Sequence, residues 1–184
     1  MTTNTEQLSL VGRKAAQARD WRTVEACANE LIRLSTSNPE GYFLKGLVEK
    51  AAQHPNVASE AFEKVLSLDS TRYDAAIELA SQLVISLRNT EAISLLERYT
   101  GSLSNSPRYL DMAGTIYTDI GLSSFALPLY QKANSLQPGI DLFMANLAAC
   151  SIFLGKIKDA RDIYLSLLEK NPHHQRNHYQ LSRL

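Results

Sequence analysis

The chain has 184 residues, 45% of them hydrophobic and 21% charged, with 8 Gly and 6 Pro, which excludes collagen-like, low-complexity and broadly disordered chains. Its 19 basic and 19 acidic residues cancel, so nucleic acid, whose binders carry a basic excess, is disfavoured as a partner. No apolar run approaches the roughly 20 residues that span a bilayer, and the opening MTTNTEQLSLVGRKAAQ lacks the charged-then-apolar plan of a signal peptide, so the expectation is a cytoplasmic protein with no membrane partner.

An internal period organises the rest. Gly12, Gly46 and Gly114 fall on a 34-residue grid, with Ala80 and Ala148 in its vacant slots. Ala58, Ala92, Ala126 and Ala160 keep the same step, and Val24 takes the slot before them. Gly121 and Gly155 are also 34 apart, as are Pro138 and Pro172. Four series in one phase, without an insertion, indicate copied units.

In chain order the units are 5–38, 39–72, 73–106, 107–140 and 141–174. The first carries Gly12, Trp21 and Leu31, with Val24 and Ala28 where Ala and a larger residue are expected. The second opens on Asn38-Pro39, a helix N-cap followed by a first-turn proline. In the third, Asn89 ahead of Thr90-Glu91 is a cap candidate. The fourth is clearest. After Ser106-Pro107, residues Leu110, Ala113, Gly114 and Tyr117 recur at helical spacing up to Gly121, and Ala126, Leu129, Tyr130 and Ala133 repeat it before Pro138. Pro128 is expected to remove a hydrogen bond near Ser124 and to bend that second helix. The fifth unit has Met144, Leu147, Ala148, Gly155, Ala160, Tyr164 and Pro172. Thr36, Ser70 and Ser104 stand where closing prolines would be in the first three. Residues 175–184 begin a sixth first helix or a cap. No segment alternates like a strand, so the fold is all-α.

Small residues have a mechanical role in this plan. Two helices joined by a tight turn approach closely only where side chains are short. The Gly/Ala series marks that contact on each first helix, and the alanine series marks it on each second. Phe62, Leu96, Tyr130 and Tyr164, then Leu31, Val65, Tyr99 and Leu167, fill the space beside it. Cys27 and Cys150 lie too far apart along such an array for a disulfide and read as small buried residues.

The 34-residue helix–turn–helix unit resembles the tetratricopeptide repeat (TPR). The resemblance implies a right-handed α-solenoid whose first helices line a concave surface, and a non-catalytic scaffold that takes a protein or peptide there. Carrying the family's inward positions over gives Ser9, Arg13, Phe43, Leu47, Ile77, Ser81, Asp111, Thr115, Ala145, Ala149 and Tyr179. The paired Lys and Asn that grip acidic chaperone tails are absent, because Ser9/Arg13 and Phe43/Leu47 fill those slots. Phe43, Leu47 and Ile77 instead form an apolar strip, either open to an amphipathic segment or packed against neighbouring helices.

Nothing in the sequence predicts catalysis, a metal or a cofactor: HExxH, CxxC, GxSxG and a phosphate-cradling glycine loop are all missing. His174 and His178 have ligand spacing, but His54 and His173 do not complete a set. From Lys156 onward, Lys156, Lys158, Arg161, Lys170, Arg176 and Arg183 outnumber Asp159, Asp162 and Glu169, a mildly cationic end. The segment NPHHQRNHYQLSRL is similar to the junction of bacterial proteins that carry a TPR array ahead of a sulfotransferase domain. That similarity implies a longer enzyme, transferring sulfate from 3′-phosphoadenylyl sulfate, with its catalytic domain beyond residue 184. Self-association through the terminal helix is a further expectation.

Overall fold

A computed structural model describes residues 2–102 and 105–184, so Ser104 lies outside the described residues. Eleven α-helices and no strand occur among them. The chain divides into two compact units, Met1–Tyr99 and Thr100–Leu184. The first contains α1 (Thr2–Gln17), α2 (Trp21–Leu34), α3 (Pro39–Ala51), α4 (Pro55–Leu68), α5 (Tyr73–Ile85) and α6 (Asn89–Tyr99). The second contains α7 (Pro107–Asp119), α8 (Ser123–Leu136), α9 (Asp141–Phe153), α10 (Ile157–Lys170) and α11 (Gln175–Leu181). Within each unit every helix packs on its neighbours along the chain, and first helices also touch, α1 with α3 and α7 with α9. None of the helices is long and apolar enough to cross a membrane.

The turn inside each pair is built the same way five times. Arg19, Gln53, Leu87, Gly121 and Gly155 adopt φ of 59°, 61°, 61°, 81° and 71°. The next amide in each case bonds back five residues, Asp20 to Ala15, His54 to Glu49, Arg88 to Leu83, Leu122 to Tyr117 and Lys156 to Ser151, at 2.8–2.9 Å. This is a Schellman ending, which needs one left-handed residue and satisfies carbonyls that the helix end leaves free. Glycine supplies it in the last two pairs. Arg, Gln and Leu accept the strained conformation in the first three, which is why glycine periodicity is incomplete there.

The small-residue series sits where close packing demands it. Ala58, Ala92, Ala126, Ala160 and Val24 are all fully buried, as are Ala80 and Ala148. A Cβ on Gly46 would lie 2.5 Å from the Phe62 ring, and one on Gly114 would lie 2.8 Å from the Tyr130 ring. Ala15, Val24, Cys27, Ala28, Leu31 and Leu44 make one core cluster, joined by Trp21 and Leu47. Ala148, Ala160, Tyr164 and Leu167 make another in the second unit.

Helix starts follow the sequence in part. Asn38 Oδ1 accepts from the Glu40 amide at 3.0 Å, with Pro39 in the first turn. Ser106 is the N-cap residue of α7, but its hydroxyl makes no capping bond. Asn89 is the first residue of α6 and not its cap: the Arg88 carbonyl, one position earlier, accepts the Ala92 amide. Asp20, unremarked in the sequence, caps α2 through the Thr23 amide and hydroxyl. Pro128 lies inside α8, which continues through it to Leu136.

Candidate partner-binding surfaces

In the first unit the predicted apolar strip is closed. Phe43 on α3 is 5% exposed, Ile77 on α5 is 0% exposed, and Leu47 is half-buried against the first core cluster. The cause is a layer of charge laid over the aromatic ring. The guanidinium carbons of Arg13 and Arg72 lie 4.8 and 4.9 Å from the Phe43 ring centroid, and Phe62 packs on it at 5.8 Å. Neither arginine is free to leave. Arg13 Nη2 donates to Glu40 at 2.8 Å and to Asp74 at 3.2 Å, while Arg72 donates to Asp74 at 2.7 and 2.8 Å and pairs with Glu40 at 3.1 Å.

Two bidentate arginines and two carboxylates thus form a closed network over α1, α3 and the start of α5. Burial works against ionised Asp74, but the hydrogen bonds and charges of Arg72 and Arg13 prevail and hold its pKa below the usual carboxylate range. Nearby, Lys50 reaches the buried Glu78 at 2.6 Å. Ser9 and Ser81 are half-buried on α1 and α5. Sequence reasoning singled out Arg13 but missed its acceptors. A signal existed: Glu40 and Asp74 are themselves 34 residues apart.

In the second unit, Asp111 on α7 is 5% exposed and accepts from Asn146 Nδ2 on α9, at 3.0 Å to each oxygen. No cation meets it among the described residues. Burial therefore pushes its pKa up, only partly opposed by the Asn146 bond. Thr115, one turn on, is exposed, donates to the Asp111 carbonyl at 3.1 Å and accepts from Tyr130 at 3.3 Å.

Ala145 and Ala149 line a trough of about 280 Å³ between α9 and α11, together with Leu142, Asn146, Asn177 and Gln180. A second hollow of about 320 Å³ shares Ala149 and Gln180 and extends to Phe153 and Leu184. Tyr179 is 57% exposed, with the Arg183 guanidinium 5.5 Å from its ring.

The histidines and cysteines are engaged structurally. His174 Nδ1 caps α11 by accepting from the Asn177 amide at 3.3 Å, and His178 Nε2 lies 2.7 Å from the Pro172 carbonyl. His54 approaches Glu49 at 3.0 Å. No cluster of metal-binding side chains occurs among the described residues. Cys27 and Cys150 are buried free thiols, whose pKa values burial raises.

Solved structures share this course of chain. One is YrrB, described as a TPR protein with an unusual peptide-binding site, at TM-score 0.70 and 18% identity over 94% of this chain and 89% of that one. Another is TTC0263, a thermophilic TPR protein of Thermus thermophilus, at TM-score 0.75 and 14% identity over 97% of each chain. The fold is the TPR fold. MamA is a further structural neighbour, at TM-score 0.67 and 21% identity over 94% of each chain. No family model matches the sequence, and no curated protein sequence is significantly similar to it. At these identities the likeness is one of architecture, a solenoid of TPR helix pairs, and it leaves each groove position to be read from this chain's own residues.

Proposed function

We propose that the protein is a non-catalytic TPR scaffold, built of units 5–38, 39–72, 73–106, 107–140 and 141–174, which holds a protein or peptide partner on its first-helix face. The observation that carries this reading is the trough along α9, where short side chains at Ala145 and Ala149 leave room for another chain. YrrB, with its peptide-binding site, supports the same use of the fold. Of the residues assigned to inward positions by the family resemblance, Ser9, Arg13, Leu47, Ser81, Ala145 and Ala149 are half-buried and Thr115 and Tyr179 are exposed, which supports the reading. Phe43 and Ile77 act through packing beneath them. The cytoplasm is the proposed compartment, and self-association would use the exposed Tyr179 face of α11.

The test is affinity capture with wild type and with Thr115→Arg and Ala149→Arg variants that keep wild-type helicity. Partners retained by wild type and lost from a variant are the expected result. Identical partner lists would discard the surface. A second reading, a recruiting arm ahead of a sulfotransferase domain, is favoured by the sequence of residues 171–184 alone, and an open reading frame past Leu184 encoding that domain is its test.

A further inference from the structure

The turn between α5 and α6 goes against two preferences at one residue. Leu87 holds the left-handed φ of 61° that glycine supplies at Gly121 and Gly155, and its side chain is 86% exposed. A bulky side chain disfavours that conformation, and an exposed leucine gains nothing from burial. Arg19 and Gln53 take the same conformation with polar side chains, so Leu87 alone is apolar in this slot. The turn is nonetheless fixed, with the Leu87 amide bonded to the Val84 carbonyl at 3.0 Å and the Arg88 amide to the Leu83 carbonyl at 2.8 Å. Leu87 therefore projects from a rigid base, and backbone conformations of this kind cluster at sites that contact a ligand.

Two further apolar side chains share this edge. The Ser86 hydroxyl donates to Asn56 Oδ1 at 3.1 Å, which ties the end of α5 to the start of α4. Their chain neighbours Ile85 and Val57 are 61% and 41% exposed. None of the three holds one of the inward positions. The places of Val57 and Ile85 are filled 68 residues on by the exposed Phe125 and Phe153, and between them by Glu91 and Asp119. The rim is acidic. Glu60, Glu63 and Glu91 are exposed around the edge, and among the described residues only Arg88 pairs with them, at 2.7 Å from Glu91 and 3.9 Å from Glu63. The cation on α4, Lys64, lies two turns from Val57 and over the Tyr42 ring.

We propose that this turn edge is a second binding surface, which takes an amphipathic helix of a partner protein with Lys or Arg beside its apolar face. Leu87, Ile85 and Val57 pack against apolar residues spaced three or four apart on that helix. Glu60, Glu63 and Glu91 attract the flanking cations and fix its orientation. Binding then recovers the burial that Leu87 forgoes in the free chain. The surface goes beyond the scaffold reading above and does not depend on its groove.

Random linear peptides of about 18 residues, five helical turns, displayed on phage and selected on the full chain after passage over the immobilised Leu87→Gly variant, test it. Fluorescence anisotropy with the enriched sequence as a free peptide follows. Leu87→Gly relieves the left-handed conformation, so it is expected to melt no lower than wild type, and circular dichroism checks that lost binding is not lost folding. The expected outcome is an enriched sequence with net positive charge and apolar residues at helical spacing. Its affinity falls about tenfold or more on Leu87→Gly, falls on Glu63→Lys, and weakens as salt rises. Enriched peptides that are acidic or uncharged, or that bind Glu63→Lys as tightly as wild type, overturn the ligand chemistry. Failure to enrich any sequence overturns the surface. A wild-type chain that sediments as a dimer, while Leu87→Gly sediments as a monomer, assigns the edge to a second copy and overturns the partner helix.

Discussion

Gly114→Ala is the sharpest probe of how the helix pairs are held, because two effects of known sign compete at one methyl group. Alanine favours the helix over glycine by roughly 0.5–1 kcal/mol. The new Cβ, however, would lie 2.8, 2.9 and 3.0 Å from three ring carbons of Tyr130. That ring cannot swing aside cheaply, since Tyr130 is 3% exposed and its hydroxyl lies 3.3 Å from both Thr115 and Thr118. Overpacking of this kind costs about 1–3 kcal/mol, so the net change is a loss of roughly 0.5–2 kcal/mol. For a chain of this length each kcal/mol moves Tm by about 2–4 °C, and urea denaturation followed by circular dichroism resolves it. In the Tyr130→Leu background the obstruction is gone, so the same Gly114→Ala change should become stabilising. A stabilising Gly114→Ala in the wild-type background would refute the claim that Tyr130 fills the space glycine leaves.

Asp111→Asn should raise thermal stability at neutral pH, because it removes a buried charge that only Asn146 solvates. Since the folded-state pKa of Asp111 is raised, its own contribution to wild-type stability is greatest below the unfolded pKa of about 3.9. It declines as pH climbs through the folded value. The variant's advantage in pH-resolved melts should therefore vanish in acid. Leu87→Gly should stabilise by about 0.5 kcal/mol in the same denaturation assay, relieving a left-handed φ of 61° at a side chain 86% exposed. Arg72→Met should destabilise by about 2 kcal/mol, less than the roughly 3–5 kcal/mol of a fully broken buried pair, since Arg13 still reaches both Glu40 and Asp74. Its loss should also flatten the acid limb of stability, as Asp74, with its lowered folded pKa, contributes above the unfolded pKa and less as pH falls through the folded one.

The helix pairs were legible because close contact forces small residues, and small residues on a fixed grid survive as a visible period: Gly46 against Phe62 and Gly114 against Tyr130 are that rule at atomic scale. The inner face was less legible. Phe43 falls on an inward position, yet inward does not mean open, because long arginine side chains from α1 and the residue before α5 fold over its ring. Register alone cannot say where a flexible guanidinium comes to rest. The burial of Asn177 was invisible for a related reason: it depends on how α11 lies against α9, which no local pattern encodes.

The network around Phe43 changes how the N-terminal part of the chain should come apart. In a linear array each pair is held by the adjoining one, so the terminal pair ordinarily peels off first and alone. Arg13 reaches beyond the adjoining pair to Asp74 at the head of the third, 3.2 Å away. Fraying of α1 strips a counter-ion from two other helices at once. The coupling is thus next-nearest-neighbour as well as nearest, and amide exchange across α1, α3 and α5 should report one shared opening rather than a gradient.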